Sequence, residues 1–256
     1  MSLPVYVINR AVDRDRLRAF AATAAVYGVI PTRIDAVDAA AEGAFAGAAP
    51  LLPATFWERP SIKPGAFACF LSHRRAWRAV ADGAAPWALV CEDDAVLRAG
   101  ASEIAALAAA APPGARVIQC GERMLAWRDA ALGAGGFTPL AALAAALGAL
   151  SAGAATRAPG AEATLLTPGG ARDLLALTAR DGACAGVDWL LLFRCWDGRG
   201  DVVPRPELES LRRMLGAEAP RLAALVAPAA LAGLSGAPSV VRHRVRRPIE
   251  DLRAEC

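Results

Sequence analysis

A chain of 256 residues is long enough for one full-sized hydrophobic core. With 55% hydrophobic and 21% charged residues it buries enough apolar surface to offset its ordering entropy, which excludes a disordered or polar-tail protein. A net charge of +3, with acids and bases interspersed, gives no sign of a nucleic-acid partner.

Val5 to Ile8 is a β-branched run between Pro4 and Asn9 and predicts a buried strand. From Asp13 to Tyr27 the apolar positions Leu17, Phe20, Ala21 and Ala24 fall three and four apart, which predicts a helix stopped by Gly28. A second strand over Val29 to Ile34 completes a βαβ unit, with a parallel pair and a right-handed crossover. Ala36 to Pro64 is rich in Gly and Pro and reads as a long loop. Gly65 to Asp82 is helical again; projection at 100° per residue puts Phe70, Trp77, Val80 and Ala81 on one side and Ser72 and Arg75 on the other. Trp87 to Cys91 is then a strand closed by Glu92, Asp93 and Asp94.

A helix over Ser102 to Ala111, a break at Pro112 to Gly114 and a strand over Arg116 to Cys120 follow. Gly133 to Gly160 is of low complexity and reads as a flexible flap or a helical hairpin. Ala163 to Leu166 is a strand, and Thr167 with Pro168 supplies the N-cap and first residue of a helix ending near Arg180. Asp188 opens an apolar run to Phe193, and the tail from Pro204 alternates Pro-rich turns with short helices. Ala130–Thr156 and Leu222–Val241 reach the length of a membrane span, but their Gly and Pro content favours Ala-rich helices. The residues at the start predict no secretory signal, and six cysteines without a C-x-x-C pair suit a reducing, cytoplasmic setting.

The acidic triplet is the most informative feature. Adjacent carboxylates repel, so a trio closing a buried strand calls for a hard divalent cation such as Mn²⁺ or Mg²⁺, or for hydrogen-bond donors; an acidic turn capping the next helix is the plainer reading. In extended backbone Glu92 and Asp94 would share one side and Asp93 take the other. His73 reads as a core histidine pinning its helix, or as a ligand. Arg14 and Arg16 follow the first strand, where a phosphate would lie, or form a solvated face. Asp188 is a candidate general base or a helix cap. The arginines at 242, 244, 246 and 247 suit a diphosphate or a disordered tail. Cys69 and Cys91 read as core packing.

The segments PVYVIN with DRDRLRAF, RIDAVDA, KPGAFACFLSHRRAW and WALVCEDDAVL, in that order and spacing, resemble glycosyltransferase family 25, the group containing bacterial lipooligosaccharide galactosyltransferases. LLTPGGARDLL followed by GVDWLL is similar to its second half. Arg10 stands where the family usually has Leu, and Ala163 to Leu165 replaces a stretch usually containing Tyr. The resemblance implies a single-domain α/β fold, GT-A-like, with a Rossmann-type mixed sheet flanked by helices. Residues 1–125 would form the nucleotide-sugar half, 160–256 the acceptor half, and 129–160 a flexible segment between them. It also implies inverting transfer of a hexose from a UDP-sugar, usually UDP-galactose, to a glycan or lipid-linked acceptor, with peripheral contact to the inner membrane face. Asp94, helped by Asp93 or Glu92, would hold the Mn²⁺ or Mg²⁺. Asp188, or failing it Asp93, would be the base. Asn9, Arg16 and Asp38 would contact the nucleotide, with Gly65, Ser72 and His73 shaping the donor pocket. The alternative is a non-catalytic nucleotide- or sugar-binding module on the same scaffold; a metal-dependent phosphohydrolase lacks the further carboxylates it needs.

Overall fold

The computed structural model describes residues 3–51, 63–133, 135–146, 160–183, 186–195, 224–228 and 231–234. Strand β1 (Val5–Asn9) leads through helix α1 (Arg14–Val26) to β2 (Thr32–Asp35), and the long helix α2 (Pro64–Ala81) leads to β3 (Ala88–Glu92). Next come β4 (Ala95–Leu97), α3 (Ala101–Ala109), β5 (Val117–Gln119), α4 (Glu122–Leu132), β6 (Thr138–Pro139) and α5 (Leu140–Ala146). The described chain closes with β7 (Ala163–Leu166), α6 (Pro168–Asp181), α7 (Val187–Cys195), β8 (Ala224–Val226) and β9 (Ala232–Leu234).

Seven strands form one mixed sheet in the order β2-β1-β3-β7-β5-β8-β6, and β4 pairs with β9 in a small second sheet. β1 runs parallel to both β2 and β3, whereas β7 is antiparallel to β3 and β5 on either side of it. Helices cover both faces, so the central strands bury both sets of side chains. Val5 and Val7 of β1 and Leu89 and Cys91 of β3 pack with Phe20 of α1 and Ile104 of α3. Ile8, Ala88 and Val90 face the other way, onto Phe70, Trp77 and Val80 of α2, with Leu174 of α6 and Leu190 of α7 in the same core.

The expected βαβ start is present, with Gly28 at φ +65° ending α1. Thr167 caps α6 as expected, its hydroxyl accepting from the Gly170 N–H at 3.0 Å. Three expectations change. The Leu222–Val241 stretch contributes strands rather than a helix, because β8 finds a parallel partner in β5 and β9 an antiparallel one in β4. α4 and β4 lie in stretches where no element is expected from periodicity. Ser72 belongs to the buried face of α2, at 2% exposure. Within 129–160, α4 ends at Leu132 and β6 and α5 follow; 134 and 147–159 lie outside the described residues, as do the arginines at 242–247. Among the described residues no helix is long and apolar enough to cross a membrane.

Candidate active site

The strand order places the site. From β1 the chain passes through α1 to β2 on one side, then returns through α2 to β3 on the other, with α1 and α2 on opposite faces. The connections therefore diverge at the carboxyl ends of β1 and β3, and a crevice opens where open α/β sheets bind ligands. A cleft of about 340 Å³ lies there, within the range of small-molecule sites. Asn9, Arg16, Asp38, Gly65, Ser72, His73, Glu92 and Asp93, all expected from sequence, line it, together with Arg10 and Cys69.

Asn9 ends β1 and is 2% exposed. Its amide donates to the Asp93 Oδ2 at 2.6 Å and to the Asp13 carbonyl at 3.0 Å, while its Oδ1 accepts from Arg33 Nε at 3.1 Å. Both of its N–H groups are thus spent inside the protein, and they fix Asp93 against the end of β1. Arg16, in the first turn of α1, closes on Asp93 and lies 3.4 Å from the Asp94 Oδ2. The extended backbone stops at Glu92 and a turn carries the two aspartates, so Asp93 and Asp94 share one arginine instead of alternating sides.

Glu92 turns to the α2 side. Its Oε1 is 3.0 Å from His73 Nε2 and 3.8 Å from Cys69 Sγ. Cys69 is therefore a cleft residue facing a carboxylate, not simple core packing. His73 also packs 6.1 Å from the Trp77 ring, which pins it to the helix. The Ser72 hydroxyl donates to the Ala68 carbonyl at 2.6 Å and accepts from the Val37 N–H at 2.8 Å, tying the loop after β2 to α2. Gly65 borders the cleft where a Cβ would meet nothing within 4 Å, so the bare backbone keeps that wall open. Arg10 bridges Asp13 at 2.6 Å and Asp38 at 3.1 Å, linking the two loops across the cleft mouth.

Burial raises the Asp94 carboxyl from its ordinary 3.8 to about 6, the Glu92 charge adds to this, and Arg16 offsets part of it. Burial also raises Asp93, against the Asn9 hydrogen bond and Arg16. Burial acts upward on Glu92 too, but its hydrogen bond and charge contact with His73 bring it below the usual carboxylate range. The Asp94 Oδ1 is buried and has no hydrogen-bond partner among the described residues. That is a costly state for a carboxylate and marks Asp94 as a residue kept for something other than stability.

This gives a signed prediction. An acid whose folded pKa is raised binds a proton more tightly in the folded state, so stability falls as pH rises from about 4 through about 6. Asp94→Asn removes that term and is expected to stabilise the protein at pH 8 by roughly 1–2 kcal/mol, after discounting for a side chain that water partly reaches. Near pH 4 the gain should vanish. Urea unfolding at the two pH values checks it; an equal or lower midpoint for the variant at pH 8 refutes it.

Asp188 lies in the first turn of α7, and its charge acts on the Cys69 thiol, which puts it within electrostatic reach of the cleft wall. It is not among the described residues lining the cleft itself. Two further charged groups escape sequence reasoning. Glu162, fully buried immediately before β7, accepts from the Arg123 backbone N–H at 2.9 Å and pairs with Arg123 Nε at 3.3 Å. Arg123, in the first turn of α4, in turn lowers both Glu92 and Asp94 electrostatically. The only sequence signal for this pair is a Glu flanked by small residues just before a predicted strand.

Residues 2–123 match the family model for glycosyltransferase family 25 (LPS biosynthesis protein). No curated protein matches the chain at a significant level. The strand ends, the helix face and the acidic turn that build the cleft all fall within residues 2–123, the stretch over which the chain is similar to glycosyltransferase family 25.

Proposed function

We propose that the protein transfers a hexose, galactose first among candidates, from a UDP-sugar to a lipopolysaccharide or lipooligosaccharide acceptor, with inversion and with help from Mn²⁺ or Mg²⁺. The observation that carries this reading is Asp94, whose buried Oδ1 lacks a partner among the described residues at the carboxyl end of β3, inside the segment matched to the family. An oxygen-only donor set of this kind suits a hard cation. Asp94, with Asp93, would hold the ion, which when bound supplies charge to stabilise the leaving diphosphate.

The chain's own groups do the rest. Arg16 pairs with both aspartates and offers its guanidinium to an incoming diphosphate. Asn9 and Arg33 hold Asp93 still. Asp38, engaged by Arg10 in the cleft lining, would meet the nucleoside end of the donor. Inversion requires one carboxylate to take the acceptor hydroxyl's proton. Asp188 is our candidate, because Asp93 has its Oδ2 bound to Asn9 and its Oδ1 to Arg16. A lipid-linked acceptor would bring the enzyme to the cytoplasmic face of the inner membrane.

Calorimetric titration of UDP with Mn²⁺, with EDTA and with Asp94→Asn tests the donor site. Binding that weakens more than about tenfold, roughly 1.4 kcal/mol, on chelation and in the variant is the expected result. The absence of UDP binding under every condition defeats the reading. Tight metal-dependent UDP binding without hydrolysis or transfer of any UDP-sugar would favour the binding-module alternative.

A further inference from the structure

The donor reading uses the aspartates on the Arg16 side of the acidic turn and leaves the other side unexplained. There Cys69 and His73, four residues apart and so on one face of α2, meet Glu92 from the end of β3. Their Sγ, imidazole nitrogen and carboxylate oxygen all lie within 4.8 Å of one another, with 3.0 Å between His73 Nε2 and Glu92 Oε1 and 3.8 Å between Cys69 Sγ and the same oxygen. Ligand atoms around a tetrahedral zinc ion, at about 2.3 Å for sulfur and about 2.0–2.1 Å for nitrogen or oxygen, stand roughly 3.3–3.8 Å apart, so small side-chain movements suffice. All three residues line the cleft, so a fourth coordination position would face the open space.

We propose that Cys69, His73 and Glu92 form a second metal site, selective for a zinc-like cation and distinct from the hard-cation position at Asp94. The donor chemistry sets the selectivity. One thiolate, one imidazole and one carboxylate suit Zn²⁺ or Co²⁺, whereas Mg²⁺ and Mn²⁺ favour oxygen ligands throughout. The negative charges of Glu92, Asp188 and Asp94 around the sulfur favour a cation as well. Binding exchanges the thiol proton for a metal–sulfur bond and releases that proton to solvent. The bound ion would tie α2 to the end of β3 and present its open position to whatever enters the cleft. This inference does not depend on the donor reading.

The test is a Co²⁺ titration of the full chain, stripped of metal beforehand, followed by displacement with Zn²⁺. A thiolate-to-cobalt charge-transfer band with tetrahedral d–d absorption, saturating at one equivalent and bleached by Zn²⁺, is expected in the wild type and in Asp94→Asn. Cys69→Ser should abolish the charge-transfer band. It should also weaken Zn²⁺ by more than the roughly 10–100-fold that loss of an outer-shell partner costs. Glu92→Gln, nearly isosteric, gives a second reading of the same loss should the serine variant fail to fold. No charge-transfer band in the wild type, or one that survives in Cys69→Ser or is untouched by Glu92→Gln, overturns the site. Loss of the band in Asp94→Asn would also overturn it, because the two cation positions would then be one.

Discussion

Arg123→Met is expected to destabilise the protein by about 3–5 kcal/mol, because it leaves a buried carboxylate with half its partners. Glu162 has a fully buried side chain and, among the described residues, two donors, the Arg123 backbone N–H and the Arg123 Nε. Its surroundings leave no room to relax. A Cβ on Gly121 or on Gly160 would overlap the Glu162 side chain, so the carboxylate is seated directly against two bare backbones. The seat is also the junction of the sheet with the acidic turn, since the Glu162 carbonyl accepts from the Glu92 N–H at 3.1 Å. The backbone donor survives the substitution, which puts the expected loss toward the lower end of that range. Arg123→Met combined with Glu162→Leu should recover most of it, because replacing a buried pair by apolar groups of similar size is often neutral. A double-mutant cycle by urea unfolding measures the coupling. A loss below about 1 kcal/mol in the single variant, or no recovery in the double, would show the pair to be of the weak surface kind.

The pair illustrates where sequence reading stops. The first ninety residues declare themselves because their signals are local: β-branched strands, three-and-four spacing in α1 and α2, a glycine at φ +65°, acids at a strand's end. The family resemblance covers the same stretch for the same reason. What the sequence hides is decided by distant partners. Ala224 to Val226 is an indifferent Ala-rich segment until β5 and β6 pair with it. Glu162 is 39 residues from Arg123, nothing local marks Arg123, and only the small residues around Glu162 before a strand hint at its role. The expected alternation of Glu92, Asp93 and Asp94 fails because the strand ends one residue into the triplet, which moves Asp94 to the Arg16 side. Cys69 reads as a small core hydrophobe until β3 brings a carboxylate to it.

Asn9 shows most clearly how a site residue can act through another, and its substitutions separate electrostatics from packing. Its partners come from positions 4, 24 and 84 residues away, so its role is invisible in the motif that contains it. Asn9→Ala leaves the Asp93 Oδ2, the Asp13 carbonyl and the Arg33 Nε each short of a partner, and should cost about 2–3 kcal/mol. Asn9→Asp keeps the shape and the acceptor for Arg33, but replaces the two amide donors with a carboxylate set against that of Asp93. Two carboxylates at hydrogen-bond distance cannot both ionise cheaply, so one acquires a raised pKa. The proton that remains at low pH bridges them, and stability is then lost as pH rises through that raised value. Asn9→Asp should therefore match or exceed the stability of Asn9→Ala near pH 5 and fall below it near pH 8, by roughly 1–2 kcal/mol. Comparing the variants at each pH cancels the background titration of the remaining acids. UDP affinity in the presence of Mn²⁺ supplies the functional reading. If Asn9 acts by orienting Asp93, Asn9→Asp should bind UDP progressively worse as the pH rises while Asn9→Ala shows a constant deficit. Parallel stability curves for the two variants would mean that the amide serves packing alone and that Asp93 is held by Arg16 without it.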